Sequence, residues 1–141
     1  MSFNIRLGVA NDGENRWDLR KDLVVKTIRG YNPDLLGLQE VFPMQEEYLR
    51  ENFPEYFYYG RSRLVDPKDG EACSIMFRKD RFDAIEKSTF WLSETENEPG
   101  SKSWDSSLPR IANIVRLQDK QAEGKKLVLI NTHFDHRGKV A

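Results

Sequence analysis

The sequence is nearly devoid of cysteine: Cys73 stands alone, which excludes an internal disulfide and a multi-thiolate zinc site and removes any need for an oxidising compartment. A lone thiol of this kind is expected as a small buried hydrophobe. Histidine is scarce too, and both copies, His133 and His136, fall near the carboxyl end. No apolar run reaches the ~20 residues of a membrane-spanning helix. Met1-Ser-Phe-Asn-Ile5 opens without a basic segment leading into an apolar one, so the chain as written reads as cytoplasmic, or as an excised domain whose leader is missing. Neither sign of charge prevails: 22 Lys and Arg face 23 Asp and Glu, for a net charge of -1. No overall positive field advertises nucleic acid, and a polyanionic substrate would need a local basic patch or a metal. Internal repeats are absent, and the acidic run Glu94 to Glu98 has the composition of a solvated loop.

What is present suits a single domain over residues 1–141. Apolar residues make up 38% and mean hydropathy is -0.70, on the polar side for a globular chain, but eight Phe, five Tyr and three Trp supply bulk for a core. Phe3, Ile5, Leu7 and Val9 alternate with polar residues, the pattern of a half-buried strand. After the turn chemistry of Asn11 to Asn15, Asp18 is placed to cap a helix with Leu19, Leu23, Val24, Ile28 and Tyr31 inward, ended by Gly30 and Pro33. Asp34 to Glu40 reads as a short buried strand, and Pro43 as the start of a second helix with Met44, Tyr48 and Leu49 inward. Strand, helix, strand, helix predicts a crossover with parallel pairing and an α/β layered fold. Strands then dominate: Tyr56 to Gly60, Ala72 to Phe77, Phe82 to Leu92, Ile111 to Leu117 and Leu127 to Ile130, the last expected to be buried on both faces. The long polar stretch from Ser93 to Pro109 is the candidate functional loop.

Chemistry concentrates where Leu127-Val-Leu-Ile130 gives way to Asn131-Thr-His-Phe-Asp-His136, at a strand end where ligand sites gather. His133, Asp135 and His136 admit three readings. His133 is a general acid or base oriented by a carboxylate; or the cluster binds zinc, since His-x-Asp-His is similar to part of the metallo-β-lactamase signature, although the first His of that signature would fall at Asn131; or the imidazoles are structural. Glu40, at the end of its buried strand, must face water or a cation, because burying it unpaired is costly. Glu71 stands similarly before Ala72.

Taken in order, Ser2 to Arg6, Trp17 to Arg20, Pro33-Asp-Leu-Leu-Gly-Leu-Gln-Glu40, Gly70-Glu71, Phe90-Trp-Leu-Ser93, Trp104-Asp105, Pro109-Arg110 and Asn131 to His136 resemble the amino-terminal part of the endonuclease/exonuclease/phosphatase superfamily, in its bacterial, deadenylase-like branch. The resemblance implies the amino-terminal portion of a four-layer α/β/β/α sandwich with mixed β-sheets, DNase I-like, and a divalent-metal-dependent phosphoesterase acting on a phosphodiester or phosphomonoester. Under it, Glu40 matches the magnesium-binding glutamate and Asn4 the asparagine beside that metal, with Mn²⁺ as the alternative ion. His133 matches the histidine acting on the phosphate, and Glu71 the acidic residue orienting it. Asn11, Trp17, Arg20, Trp104, Asp105 and Arg110 match site-wall or substrate-contacting positions, and Asp135 and His136 supporting or substrate-facing ones.

The family's Gly-Asp-x-Asn element and terminal Asp-His pair have no counterpart before Ala141. The expectation is therefore a domain truncated at its carboxyl end, inactive alone, with an exposed sheet edge or face inviting self-association. A zinc hydrolase using the His-x-Asp-His cluster, and a non-catalytic binding domain of the same fold, remain the competing readings.

Overall fold

The computed structural model describes residues 1–141. Its elements run β1 (Ser2–Asn4), α1 (Trp17–Tyr31), β2 (Leu35–Val41), α2 (Pro43–Asn52), β3 (Tyr56–Tyr59), β4 (Ala72–Arg78), β5 (Phe82–Trp91), β6 (Ile111–Asp119) and β7 (Lys126–Thr132). The first sheet has the order β1-β2-β4-β3 and the second β5-β6-β7. β1 and β2 pair in parallel, as the crossover through α1 requires, and the other pairs are antiparallel, so the first sheet is mixed.

Period-two alternation divides the first sheet between two cores. Leu36, Leu38, Tyr56, Tyr58 and Met76 pack under the helices against Trp17, Val24, Ile28, Leu49 and Phe53. Ile75 and Phe77, with Leu35 and Phe57 at the border, face Phe82, Val115, Leu117, Leu127 and Leu129 of the second sheet. Cys73 is buried against Trp91 and Ile111, the small hydrophobe that its isolation suggested. The layers are thus helices, sheet, sheet. The outer face of β5-β6-β7 carries no helix, so three of the four expected layers lie within these residues. No helix is long and apolar enough to cross a membrane.

Several local expectations are corrected. The first strand ends at Asn4, because Arg6 takes a left-handed backbone (φ 62°) that no strand accommodates. α1 begins at Trp17 without a side-chain cap, and Asp18 sits in its first turn. Leu19, Leu23 and Tyr31 are exposed, since α1 lays only the stripe Trp17, Val24, Ile28 on the sheet. Its end falls at Asn32, left-handed at φ 42°, rather than at Gly30. In α2 the buried residues are Gln45 and Leu49, while Met44 is exposed. β7 is an edge strand: Val128 and Ile130 point out and only alternate residues point in.

One irregularity shapes everything near the chemistry. β2 and β4 pair at Leu38 with Ser74 and again at Val41 with Ala72, so Gln39 and Glu40 together oppose Cys73 in a bulge. At this break the carbonyls of Leu38 and Ser74 accept hydrogen bonds from Asn131 Nδ2 at 2.7 and 2.8 Å, and Gln39 Nε2 donates to Asn131 Oδ1 at 2.6 Å. Asn113, the cross-strand partner of Asn131, donates to the Cys73 carbonyl at 2.7 Å. Two buried amides of the second sheet therefore complete the bonding that the bulge interrupts. Gly37 is required there: a Cβ would stand 2.8 Å from Asn131 Oδ1. Truncating Asn131→Ala strands these partners without hydrogen bonds and should destabilise the fold by about 2–4 kcal/mol. Urea unfolding measures this, and a loss of only a few tenths would show that the bulge stands without the amide.

Candidate active site

Three chain segments meet at the bulge: the end of β1 with Asn4, the end of β2 with Glu40, and the first residue beyond β7, His133. Glu40 is itself left-handed (φ 61°), a conformation uncommon outside glycine that turns its side chain toward the end of β1. Asn4 Nδ2 donates to Glu40 Oε1, and the Leu7 N–H to Oε2, each at 2.8 Å. His133 Nε2 stands 4.0 Å from Oε1, and an Arg6 Nη 4.0 Å from Oε2. Burial pushes the Glu40 carboxyl up, but the Asn4 amide and the Leu7 N–H, with His133 and the Arg6 guanidinium nearby, outweigh it and hold the group below its ordinary value. Glu40 is an ionised, fixed carboxylate at neutral pH.

The Arg6 turn that delivers the Leu7 N–H is pinned from several sides. Its own N–H donates to Asn4 Oδ1 at 2.8 Å. Its carbonyl accepts from Gln45 Nε2 at 2.9 Å and from Arg20 at 2.8 Å. Its guanidinium pairs with Asp12 through bonds of 2.8 and 2.9 Å. Sequence reasoning gave no role to Arg6, Asp12, Gln45 or Arg63, and named Asn131 only as the head of its cluster, without its amide contacts. Gln45 alone left a trace, as the third residue of α2, where its Oε1 accepts from the Phe42 N–H.

A small cleft lined by Glu40, Arg63, Glu71, Arg110 and His133 opens over Cys73 and Ile111. Within it Glu71 is held by Arg63 in a two-point pair, 2.9 and 3.2 Å, and not by His133; the expected orienting contact is absent. Arg110 is buried and takes Asp135 at 3.3 Å, with a second contact of 3.2 Å to His136 Nδ1. Asp135 also accepts from Ser107 Oγ at 2.6 Å and from the N–H groups of Arg137 and Gly138 at 2.9 and 2.7 Å. These donors hold its carboxyl far below the usual carboxylate range. With its oxygens so engaged, Asp135 offers nothing to a metal, and His133, Asp135 and His136 do not form a ligand group, against the zinc reading.

Of the other expected wall residues, three make contacts within the fold. Trp17 is buried edge-on against Tyr48. Arg20 gives its donors to the carbonyls of Ile5, Arg6 and Asn15. Asp105 accepts the N–H groups of Lys139, Val140 and Ala141. Asn11 and Trp104 are exposed on loops.

The profile of the Endonuclease/Exonuclease/phosphatase family matches residues 1–130. The chain belongs to this family. A solved endonuclease/exonuclease/phosphatase from Bacteroides vulgatus superposes with a TM-score of 0.94 at 37% identity, covering 99% of this chain and 53% of that one. A mannosyl-6-phosphatase from Bacteroides thetaiotaomicron gives 0.92 at 35%, covering 99% and 52%. The Candida albicans CCR4-Not complex 3'-5'-exoribonuclease subunit Ccr4 is 30% identical over 84% of this chain and 17% of its own length. The mixed-sheet sandwich is therefore the family's fold, and the chain spans about half of these solved relatives. The family match stops one residue short of Asn131, so the Asn131 contacts and His133 rest on the geometry described above.

The Asp135 hub makes a pH prediction. Its folded pKa is depressed, so its contribution to stability is complete above the unfolded value of ~3.9 and is lost as pH falls below it. Unfolding midpoints measured at pH 7 and pH 3 should differ more for the native chain than for Asp135→Asn, which removes this carboxylate from the titration.

Proposed function

We propose that the chain carries the Glu40, Asn4 and His133 side of a phosphoesterase centre that uses Mg²⁺, or Mn²⁺ in its place, to hydrolyse a phosphodiester or phosphomonoester. The observation that supports this most is the ionised Glu40 carboxylate, fixed by Asn4 and the Leu7 N–H with His133 alongside. The basic groups nearest to it, Arg6 and His133, stand off at 4.0 Å, whereas Glu71 and Asp12 are in direct ion pairs at 2.9 and 2.8 Å. Glu40 is thus the carboxylate with capacity left for a hard cation, and one carboxylate with an amide beside it suits Mg²⁺, which keeps most of its waters and takes substrate oxygens. When bound, such an ion supplies neutralisation of charge on the phosphoryl oxygens.

The chain's own groups have distinct tasks in this reading. Asn4 and Leu7 orient Glu40. His133, half-buried and free of direct hydrogen bonds to Glu40, presents an imidazole to the phosphoryl group, as a cationic clamp or as a proton donor. Arg63 and Arg110 line the cleft and are paired with Glu71 and Asp135, so a bound cation would supply most of the neutralisation of phosphate charge. No unpaired carboxylate other than Glu40 lines the cleft to activate water, and the isolated chain is accordingly expected to turn over no substrate. The relatives are a 3'-5'-exoribonuclease and a mannosyl-6-phosphatase, which supports phosphate-ester cleavage as the reaction class and leaves the alcohol partner to loops such as 93–109.

Mn²⁺ titration followed by electron paramagnetic resonance tests the metal assignment. Weak binding that falls by about 10–100-fold in Asn4→Ala, a residue that orients the ligand, and disappears in Glu40→Ala is expected. Tight stoichiometric zinc binding abolished by His133→Ala would overturn it. A separate assay covers catalysis: steady hydrolysis of a generic phosphodiester by the purified 141-residue chain would show that this half holds a complete centre.

A further inference from the structure

A single peptide unit, the one joining Arg6 to Leu7, connects the Glu40 carboxylate to the helices behind it. Its N–H donates to Glu40 Oε2 at 2.8 Å. Its carbonyl accepts from Gln45 Nε2 at 2.9 Å and from Arg20 at 2.8 Å. A trans peptide is planar, with its N–H and C=O pointing opposite ways, and it turns as one body about the softer dihedrals on either side. Whatever grips the oxygen therefore decides where the N–H points. Arg6 holds a left-handed φ of 62° at this turn, a conformation that persists in a residue with a side chain only where the surroundings impose it.

Of the two donors, Gln45 is the fixed one. It is fully buried in the first turn of α2, a few residues after Glu40 itself. Its Oε1 accepts from the Phe42 N–H at 2.9 Å. The start of a helix needs only that oxygen, which a glutamate supplies equally well. The amide nitrogen does what a glutamate cannot, leaving the helix to donate to the Arg6 carbonyl. Gly8, just beyond Leu7, lies hard against the same side chain: a Cβ there would stand 2.7 Å from Gln45 Cδ and 2.9 Å from its Oε1. Arg20 reaches the carbonyl from α1 on a long side chain that remains partly exposed.

The grip extends to the other carboxylate oxygen. The Arg6 N–H donates to Asn4 Oδ1, and Asn4 Nδ2 to Glu40 Oε1, each at 2.8 Å. Glu40, Asn4, Arg6 and Leu7 thus close a ring of hydrogen bonds in which one turn holds both oxygens. We propose that Gln45 is a positioning residue of this site, which acts through the Arg6–Leu7 peptide to set the direction of the Glu40 oxygens and touches neither the carboxylate nor a substrate. Its effect on metal affinity rests on the reading of Glu40 as a cation ligand, whereas the orientation of the carboxylate does not.

Two measurements on the 141-residue chain test this: hydrogen exchange of the Leu7 amide by NMR without any cation, and Mn²⁺ titration by electron paramagnetic resonance. Gln45→Glu at pH 8 keeps the acceptor for Phe42 but has no proton for the Arg6 carbonyl. In this variant the Leu7 amide should exchange about tenfold faster or more, and Mn²⁺ should bind about tenfold more weakly. Gly8→Ala, at a backbone outside the left-handed region, pushes the Gln45 amide aside with its added methyl. It should move both readouts the same way, and it serves if the buried glutamate prevents folding. Leu49→Ala removes packing from the same helix without touching the turn, so its unfolding temperature should fall while its Mn²⁺ affinity stays within about twofold. Unchanged Leu7 exchange in Gln45→Glu and Gly8→Ala would overturn the proposal, and so would a loss of Mn²⁺ affinity in Leu49→Ala as large as theirs. Faster Leu7 exchange in both variants of a chain that binds no Mn²⁺ would support the role of Gln45 and count against the metal reading.

Discussion

The bulge in β2 and the buried amide that completes it are the constraint on which the site depends. A sheet interior does not tolerate carbonyls without donors, because each would forfeit its hydration for nothing. Asn131 meets this demand from the opposite sheet, with both amide hydrogens and its oxygen engaged. A fully satisfied network of this kind is stiff and directional, which a hydrophobic contact is not. It sets the register of β7 over β2, and with it the position of His133, two residues farther along the chain. The same bulge puts Glu40 in its left-handed conformation and aims it away from the core.

Around this point the electrostatics are divided by distance. Arg63 with Glu71, Arg110 with Asp135, and Arg6 with Asp12 are direct pairs that brace loops and strand ends. Glu40 receives neutral donors at 2.8 Å, with the basic groups of Arg6 and His133 only at 4.0 Å. Neutral donors orient a carboxylate and keep it ionised without cancelling its charge. That difference separates Glu40 from Glu71 and Asp135, equally acidic by composition, whose oxygens are held in direct ion pairs.

The elements of the first half were legible because their signals are local. Pro43 at the start of α2, the β-branched and aromatic strands, and the aliphatic run ending in Glu40 each declare themselves within a few residues. Glu40 and His133 were legible as candidates for a related reason: a charged or titratable group directly after a buried strand has few stable surroundings. Reading α1 by its apolar spacing failed for Leu19, Leu23 and Tyr31, since which of several apolar stripes is buried depends on how much sheet lies beneath the helix.

Family membership, the alternation of strands and helices, and Glu40 and His133 as candidates could be read from the chain alone, because these follow from short-range pattern and side-chain type. The hydrogen-bond partners of the polar residues became visible only in the packed molecule. Asn131 became the clamp, Arg20 and Gln45 the supports of the Arg6 turn, and Glu71 a partner of Arg63 instead of His133. The physical reason is that a hydrogen bond or an ion pair is a matter of tenths of an ångström and of direction. Those are set when two sheets stack and bring together residues about ninety positions apart, as with Gln39 and Asn131, and no spacing along the chain encodes them.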